Sequence, residues 1–199
     1  MKIVVVVLAA GASRRFGSPK LLAPLDGRPL LQHTLDGVAA AGLDDVVVVL
    51  GEGHAAVEAA IAWRAERRRV NPRPEDGLSS SLRIGLDAAA EDPAAEAVLI
   101  VLGDQPSLRP DVLAAVVDAA ARTDRPVVRV RYADDAAPNP VLVRRPAWAL
   151  AAGLDGDRGL GPLLDRRPDL VAEVPAAGRN PDVDTPDDLA RLVAGRRLS

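Results

Sequence analysis

Four apolar runs constrain the fold of this chain more than any other feature of its sequence. They lie at Ile3 to Ala9, Val46 to Leu50, Ala97 to Leu102 and Pro126 to Val130, and each is rich in valine or isoleucine. Half-exposed strands alternate apolar and polar residues, whereas strands buried on both faces are apolar almost throughout. The runs therefore predict a parallel sheet that is covered on both sides.

Segments with helical spacing separate these runs. They cover Pro29 to Ala41, His54 to Arg67, Ser79 to Ala90 and Pro110 to Arg122. Strands and helices in alternation predict an α/β fold, a doubly wound and mostly parallel sheet with right-handed crossovers and helices on both faces.

The last third of the chain carries weaker signals. We expect a short antiparallel edge strand at Pro140 to Arg144 and helices at Ala147 to Ala152, Gly161 to Arg166 and Pro186 to Gly195. Neither a long linker nor a repeat interrupts the sequence, so residues 1–199 are predicted to form a single domain.

Composition narrows the classes of function. The chain has no cysteine, which excludes disulfide scaffolds, thiolate zinc sites and cysteine nucleophiles, and its two histidines lie too far apart to suggest a local metal pair. A formal net charge of −3 argues against nucleic acid as a partner. The N-terminal apolar stretch is too short for a membrane span and lacks the basic lead-in of a secretory signal. We therefore expect a cytoplasmic protein that binds neither nucleic acid nor membranes.

The loop after the first apolar run, Leu8 to Lys20, has the composition of a phosphate-binding loop. Small residues let backbone N–H groups approach a phosphate closely, and Arg15 and Lys20 supply the countercharge. Lys20 is unusual because arginine is otherwise strongly preferred in this chain, and an ammonium is a more compact charge than a guanidinium. The spacing differs from that of a Walker A loop, and an ordinary exposed loop with solvated arginines is the alternative.

Two aspartates are candidate metal ligands. Asp104 follows the run at Ala97 to Leu102, and ligands of open α/β sheets bind beyond such strand ends, where it could hold Mg²⁺ against a triphosphate. The alternative is an aspartate that only caps a turn. Asp184 shares one face of an extended segment with Asp182 and could supply a second carboxylate, while Thr185 is interpreted as the N-cap of the last helix.

Asn71 and the serines Ser79 to Ser81, which open a predicted helix, are candidates for nucleoside recognition. Their polar groups could bind a base edge or a ribose, or the serines could be only a helix N-cap. A competing motif, Gly51 to Ala56, fits the dinucleotide fingerprint but lacks the acidic residue that should end the next strand. We interpret it as a tight turn and keep an NAD-binding oxidoreductase as an alternative.

Four segments, in their order along the chain, resemble the motifs of MobA-like nucleotidyltransferases, and most of all those of molybdenum cofactor cytidylyltransferases. They are Leu8-Ala9-Ala10-Gly11-x-Ser13-x-Arg15-x-Gly17-x-x-Lys20, Gly77-x-Ser79-x-Ser81-Leu82-x-x-Gly85, Gly103-Asp104-Gln105-Pro106 and Asp182-x-Asp184-Thr185-Pro186. The resemblance spans nearly the whole chain. It implies a Rossmann-like nucleotidyltransferase fold and Mg²⁺-dependent transfer of a nucleoside monophosphate to an acceptor phosphate, with release of pyrophosphate.

The resemblance also implies roles for individual residues. The base and phosphates would lie along Leu8, Ala9, Ala10 and Gly11, and the β- and γ-phosphates would be held by Arg15 and Lys20. The nucleoside would face Asn71, Ser79 and Ser81. The magnesium would be shared by Asp104 and Asp184. Attack by a phosphate oxygen needs charge neutralisation and alignment more than it needs a base. Arg15, Lys20 and Asp104 are therefore the predicted catalytic residues.

The substrates follow from the same resemblance. Ala10 stands where guanylyl-transferring relatives typically carry glycine, and its methyl group narrows the space for a purine, so CTP is expected in preference to GTP. The expected acceptor is a phosphorylated pterin, with a molybdoenzyme as partner. Departures at Phe16, at Asn139 and at Gly156 to Pro162 fall on the acceptor side. A guanylyltransferase, a sugar-phosphate nucleotidyltransferase and a non-catalytic nucleotide- or pterin-binding protein remain alternatives.

Overall fold

The computed structural model describes residues 1–11, 13, 15–134, 138–157 and 159–196. Its strands are β1 (Ile3–Ala9), β2 (Pro24–Leu25), β3 (Arg28–Pro29), β4 (Val46–Leu50), β5 (Arg67–Val70), β6 (Ala97–Leu102), β7 (Val127–Tyr132), β8 (Val141–Arg144) and β9 (Val171–Ala176). Its α-helices are α1 (Leu30–Ala40), α2 (His54–Ala60), α3 (Leu78–Ala90), α4 (Pro110–Arg122), α5 (Gly161–Asp165) and α6 (Pro186–Arg196). Short 3₁₀ helices lie at Lys20–Leu22, Pro74–Asp76, Arg145–Gly153 and Pro168–Leu170.

Seven of these strands form one sheet, in the order β5-β4-β1-β6-β8-β7-β9, and β2 pairs with β3 in a separate hairpin. β8 runs antiparallel to both of its neighbours, and the other adjacent pairs in the sheet are parallel. The predicted α/β class with a mostly parallel sheet is confirmed. Because β1, β4 and β6 are parallel and in register, their carboxyl ends meet at one edge of the sheet.

The central strand, β1, explains why its sequence is apolar without alternation. Val4 to Val7 are completely buried, and successive side chains point to opposite faces of the sheet. Val5 and Val7 pack on the side of α1 and α4, whereas Val4 and Val6 pack on the side of α3. Each such valine contributes about 1.5–3 kcal/mol through burial, so both layers of helices are held by the same strand.

The structure corrects the prediction for the strand at Pro140 to Arg144. This strand, β8, is antiparallel as predicted, but it lies between β6 and β7 rather than at an edge. The edge position is taken by β9, which was not predicted and pairs with β7 in parallel. β9 is half exposed and contains a proline, Pro175, which an edge strand tolerates.

The helix predicted at His54 to Arg67 is also too long. α2 ends at Ala60 because Ile61 adopts an extended conformation and turns its side chain into the core, where it is 6% exposed. Arg67 begins β5 instead. The other predicted helices and strands agree with the structure to within about two residues. Within the described residues, no helix is long and apolar enough to cross a membrane.

Candidate active site

A cleft of about 530 Å³ opens where the carboxyl ends of β1 and β6 meet. One wall is the loop that follows β1, a second is the start of α3, and a third is the segment before α6. The cleft therefore draws its lining from parts of the chain that are distant in sequence, including Gly11, Ser81 and Asp184. This is the edge of the sheet at which α/β proteins bind ligands.

Lys20 is the centre of the charged end of the cleft. Its ammonium nitrogen, Nζ, donates to Asp104 Oδ2 at 2.6 Å and to Asp184 Oδ1 at 2.8 Å. Arg15 donates from Nη2 to the other oxygen of Asp184 at 2.7 Å. Lys20 is 7% exposed, and its backbone N–H donates to Ser13 Oγ, which ties the loop to the start of the 3₁₀ turn. Two aspartates from distant segments therefore converge on one cation.

The charges of this cluster stabilise one another. The hydrogen bond from Lys20 lowers the pKa of Asp184, and the charge of Arg15 acts in the same direction. Burial alone would lower the pKa of Lys20, but the charges and hydrogen bonds of Asp104 and Asp184 outweigh it, so that the pKa is raised. Burial and the nearby charge of Asp104 raise the pKa of Asp182, the third carboxylate at this end. At neutral pH, Lys20 and Asp184 therefore both carry their charges.

The donor set fits a hard divalent cation. Asp104 and Asp184 already present carboxylate oxygens to one positive group, and Mg²⁺ in nucleotide enzymes is typically bound by one or two carboxylates plus phosphate oxygens and water. Over the ranges that the structure describes, no three acidic or histidine side chains form a complete metal cage. A metal held here would take its remaining ligands from water or from phosphate oxygens.

The balance of charge in the cleft supports the same conclusion. The charged side chains of its described lining are five carboxylates and two cations, namely Glu75, Asp104, Asp157, Asp182 and Asp184 against Arg15 and Lys20. A triphosphate would meet an excess of three negative charges, which repels it unless cations accompany it. A polyanionic ligand would therefore bind in this cleft more readily if a divalent cation accompanied it.

The predicted nucleoside-binding residues are placed at different depths. Ser81 lines the cleft, whereas Asn71 is buried behind it and donates from Nδ2 to Ser80 Oγ at 2.8 Å and to Ser81 Oγ at 2.9 Å. Ser79 is completely buried outside the lining, and its hydroxyl has no hydrogen-bond partner among the described residues. The serines do not cap α3 with their side chains, since its N-cap is Gly77. Asn71 thus supports Ser81 rather than reaching the cleft.

The predicted phosphate loop contributes most of its residues to the cleft. Leu8, Ala10 and Gly11 line it together with Arg15, whereas Ala9 packs on the opposite face of the sheet. A Cβ at Gly51 would lie 2.5 Å from the carbonyl oxygen of Ala10, so glycine is needed there for the two loops to touch. This packing accounts for the first glycine of the dinucleotide-like motif.

Sequence reasoning missed Glu75 as a member of the cleft lining and named Asp157 only as part of a segment expected on the acceptor side. Asp157 is brought there by Gly77, whose φ is +87° and whose Cβ, if present, would lie 2.3 Å from the carbonyl carbon of Gly156. Ser79 N donates to Gly156 O at 3.1 Å across the same contact. The glycine in the motif was visible in the sequence, but nothing there indicated its partner. Arg158, the next residue of this predicted acceptor segment, lies outside the described residues.

A second, apolar pocket of about 90 Å³ adjoins the cleft. The two share Leu8, Leu78 and Leu102, and the far side of the pocket includes Asn139 and Leu160. These last two residues belong to the segments in which the sequence departs from the pattern of the family that it resembles. Among the described lining residues, Asn139 is the one with a polar side chain.

Comparison with known proteins identifies the family of the chain. Residues 5–171 match the family model described as the MobA-like NTP transferase domain. The chain belongs to this family. The predicted resemblance to MobA-like nucleotidyltransferases is confirmed at the level of the family.

Individual relatives have different activities. The MobA-like transferase is 38% identical over 133 residues to the bifunctional protein GlmU of Sorangium cellulosum. This match covers 63% of this chain but only 28% of GlmU. It is 35% identical over 114 residues to a probable molybdenum cofactor guanylyltransferase of Pyrococcus horikoshii, covering 57% of this chain and 54% of that protein. The chain thus spans about a third or less of GlmU and about half of the second relative.

Solved structures extend the similarity over the whole chain. The structure of Rv0371c from Mycobacterium tuberculosis H37Rv has a TM-score of 0.87 and 36% identity, with 98% of each chain covered. Its structure in complex with manganese has a TM-score of 0.83 and 34% identity, covering 98% of this chain and 99% of that one.

In this transferase, Thr185 and Asp188 fix the start of α6, directly after Asp184. Thr185 donates to Asp188 Oδ2 from its hydroxyl at 2.7 Å and from its backbone N–H at 2.8 Å, and Asp188 N donates back to Thr185 Oγ1 at 3.2 Å. The predicted N-cap is confirmed. The Thr185 hydroxyl, together with Arg191, lowers the pKa of Asp188 to about 2.

Thr185→Val is expected to destabilise the fold by about 1 kcal/mol, and part of this loss should depend on pH. A carboxylate whose pKa is lowered by folding stabilises the protein above its ordinary pKa of 3.8, and this contribution is lost as the pH falls towards 2. The difference between variant and wild type should therefore be full above about pH 4 and shrink towards pH 2, measured by urea unfolding. Thr123→Val is the control, because the Thr123 hydroxyl accepts a hydrogen bond from a backbone N–H. Its stability should differ from that of the wild type by an amount that does not depend on pH. A constant difference in both variants would contradict the assignment.

Proposed function

We propose that this MobA-like transferase moves CMP from CTP to the phosphate of a molybdopterin-type cofactor and releases pyrophosphate. The observation that carries the proposal is the convergence of Asp104 and Asp184 on Lys20, beside a glycine-containing loop. That arrangement offers a metal site and a phosphate site within one cleft. The match to the MobA-like family and the manganese complex of Rv0371c support the same chemistry.

The side chains present suffice for this reaction without a nucleophile from the protein. Backbone N–H groups of the loop after β1, with Arg15 and Lys20, would hold the β- and γ-phosphates. Asp104 and Asp184 would hold Mg²⁺, which neutralises charge on the phosphates. An oxygen of the acceptor phosphate forms a bond to the α-phosphorus of CTP, and the bond to the bridging oxygen breaks, so pyrophosphate leaves with that electron pair. The acceptor phosphate is already ionised at neutral pH, so no general base is required.

The preference for a pyrimidine rests on Ala10. Its side chain borders the cleft, and its backbone is held against Gly51, so the loop cannot withdraw to make room for a larger base. A purine needs more space than cytosine in the same position. This steric argument supports CTP over GTP.

Ala10→Gly is expected to shift the nucleotide preference towards GTP. Removing one methyl group from a close-fitting site changes discrimination by about tenfold or more, so the ratio of kcat/KM for CTP over GTP should fall by that factor. The ratio is measured by pyrophosphate release with each nucleotide. Ala95→Gly, at an equally buried alanine outside the cleft, should leave the ratio unchanged. An unaltered ratio in Ala10→Gly would show that position 10 does not select the base.

The proposed acceptor is supported by the pocket beside the cleft. Its described lining is apolar apart from Asn139, which suits the faces of a fused ring better than a sugar, whose hydroxyls all need hydrogen-bond partners. The pocket borders the cleft along Leu8 and Leu78, so an acceptor there would place its phosphate near the metal site.

The test is pyrophosphate release from each of the four nucleoside triphosphates with Mg²⁺ and molybdenum cofactor. CTP with the cofactor should give the highest rate, and omission of the cofactor or of Mg²⁺ should abolish it. Preference for GTP would overturn the base assignment and leave the reaction class intact. Release with a sugar phosphate but not with the cofactor would overturn the acceptor.

A further inference from the structure

Gln105 is completely buried next to Asp104, and both ends of its side-chain amide are hydrogen-bonded. Nε2 donates to Asp182 Oδ1 at 2.7 Å, and Oε1 accepts from Asn180 Nδ2 at 3.2 Å. These partners lie 77 and 75 positions away along the chain. One side chain at the end of β6 therefore holds two residues of the segment that leads into α6.

A backbone hydrogen bond runs alongside this side-chain contact. Val183 N donates to Asp104 O at 3.0 Å. Val183 lies between Asp182, which Gln105 binds, and Asp184. Thr34, which is completely buried in α1, donates to the carbonyl oxygens of Gly103 and Gln105 at 3.2 and 3.4 Å. The end of β6 is thus fixed from α1, and the segment before α6 is fixed to the end of β6.

The consequence for the candidate metal site is geometric. Asp182 and Asp184 flank Val183, which is buried and whose backbone N–H is bound to Asp104 O, so a hydrogen bond that fixes Asp182 also restricts the position of Asp184. Asp184 then lies 2.8 Å from the ammonium that Asp104 also binds. An apolar side chain of similar volume could fill the place of Gln105, but it could not orient the carboxylate of Asp182.

We propose that Gln105 is a positioning residue of the metal site, which acts through Asp182 and Asn180 to hold Asp184 opposite Asp104. Loss of a hydrogen bond to a metal ligand itself typically weakens metal binding 10–100-fold, and Gln105 would act in the same way through a residue close to the ligand. The inference rests on the proposed function in one respect, that Asp104 and Asp184 hold the divalent cation. It is independent of which nucleotide and which acceptor are used.

The test measures binding of Mn²⁺ alone to the full chain by electron paramagnetic resonance. Gln105→Met is expected to weaken binding about 10–100-fold. Gln32→Met is the matched control, because Gln32 is 6% exposed and also uses both ends of its amide, with Asp36 and Ala62, outside the cleft. It should lower the free energy of unfolding to a similar extent and leave Mn²⁺ affinity unchanged.

A pair of variants at position 182 separates positioning from charge. Asp182→Asn keeps an oxygen that can accept from Gln105 Nε2, whereas Asp182→Ala removes it. The alanine variant should lose as much affinity as Gln105→Met, and the asparagine variant should retain most of it. Equal losses in the two would overturn the positioning role. This pair also keeps the test decisive if Gln105→Met does not fold.

Asp104→Asn distinguishes failure of this inference from failure of the proposed function. If Asp104→Asn abolishes Mn²⁺ binding while Gln105→Met matches Gln32→Met, the role of Gln105 is wrong and the metal site stands. If Asp104→Asn leaves Mn²⁺ affinity unchanged, the metal site is wrong and the role of Gln105 falls with it. Weaker binding in both Asp104→Asn and Gln105→Met is the expected result.

Discussion

Replacement of Lys20 by methionine is expected to tighten the binding of Mn²⁺ in the absence of nucleotide and to abolish nucleotidyl transfer. Lys20 Nζ lies 2.6 Å from Asp104 and 2.8 Å from Asp184, so a divalent cation must compete with the ammonium for the same two carboxylates. Without the ammonium the carboxylates repel each other, and a metal relieves that repulsion. Mn²⁺ affinity should rise about tenfold or more, equivalent to about 1.4 kcal/mol for each factor of ten.

Transfer should fall in the same variant by a factor of about 10²–10³, because the triphosphate loses a preorganised positive group. Metal affinity and turnover therefore change in opposite directions, which simple unfolding would not produce. Lys2→Met provides the matched control, since Lys2 pairs with Asp92 on the surface, outside the cleft. It should alter neither quantity. Weaker Mn²⁺ binding in Lys20→Met would show that the ammonium supports the metal site rather than competing for it.

Asp104→Asn is expected to reduce transfer by a factor of about 10³ and to remove its response to Mg²⁺. The substitution keeps the size of the side chain but takes away one of two carboxylates for the metal, whose stabilisation of transition-state charge is worth several kcal/mol. Lys20 would still bind Asp184, so the fold of the charged cluster should persist. Initial rates over a Mg²⁺ titration measure the effect.

The control for this variant is Asp76→Asn. Asp76 lies next to a residue of the cleft lining but pairs with Arg73 on the surface. Its replacement should leave both the rate and the Mg²⁺ dependence unchanged. Transfer that survives in Asp104→Asn with its Mg²⁺ dependence intact would show that Asp104 is not a metal ligand.

The strands of the central sheet could be predicted because burial on both faces leaves a pattern that few other structures produce. β1, β4 and β6 begin and end where their apolar runs do. β9 has no such pattern, since an edge strand is half exposed and needs no continuous apolar run. The error over β8 has another cause, because no local pattern shows that β7 pairs with β8 on the side away from β6.

The individual chemical groups of the site were equally visible. A lone lysine after a small-residue loop and an aspartate after a buried strand are local features, because loop composition and strand ends are read from neighbouring residues. Glu75, Asp157 and Gln105 carry no local signal of this kind. Their roles depend on contacts such as the packing of Gly77 against Gly156, or on hydrogen bonds that span 75 or 77 positions.

The sequence by itself determined the α/β class and singled out the candidate phosphate loop and the two candidate acidic residues, since each follows from local pattern and chemistry. The tertiary structure alone decided that Asp104 and Asp184 meet at Lys20, 84 and 164 positions away from it, and that Gln105 is hydrogen-bonded to Asp182, close to the second of them. The order of strands in the sheet brings these residues together in space although they are far apart in sequence. That order results from packing among all strands and helices together.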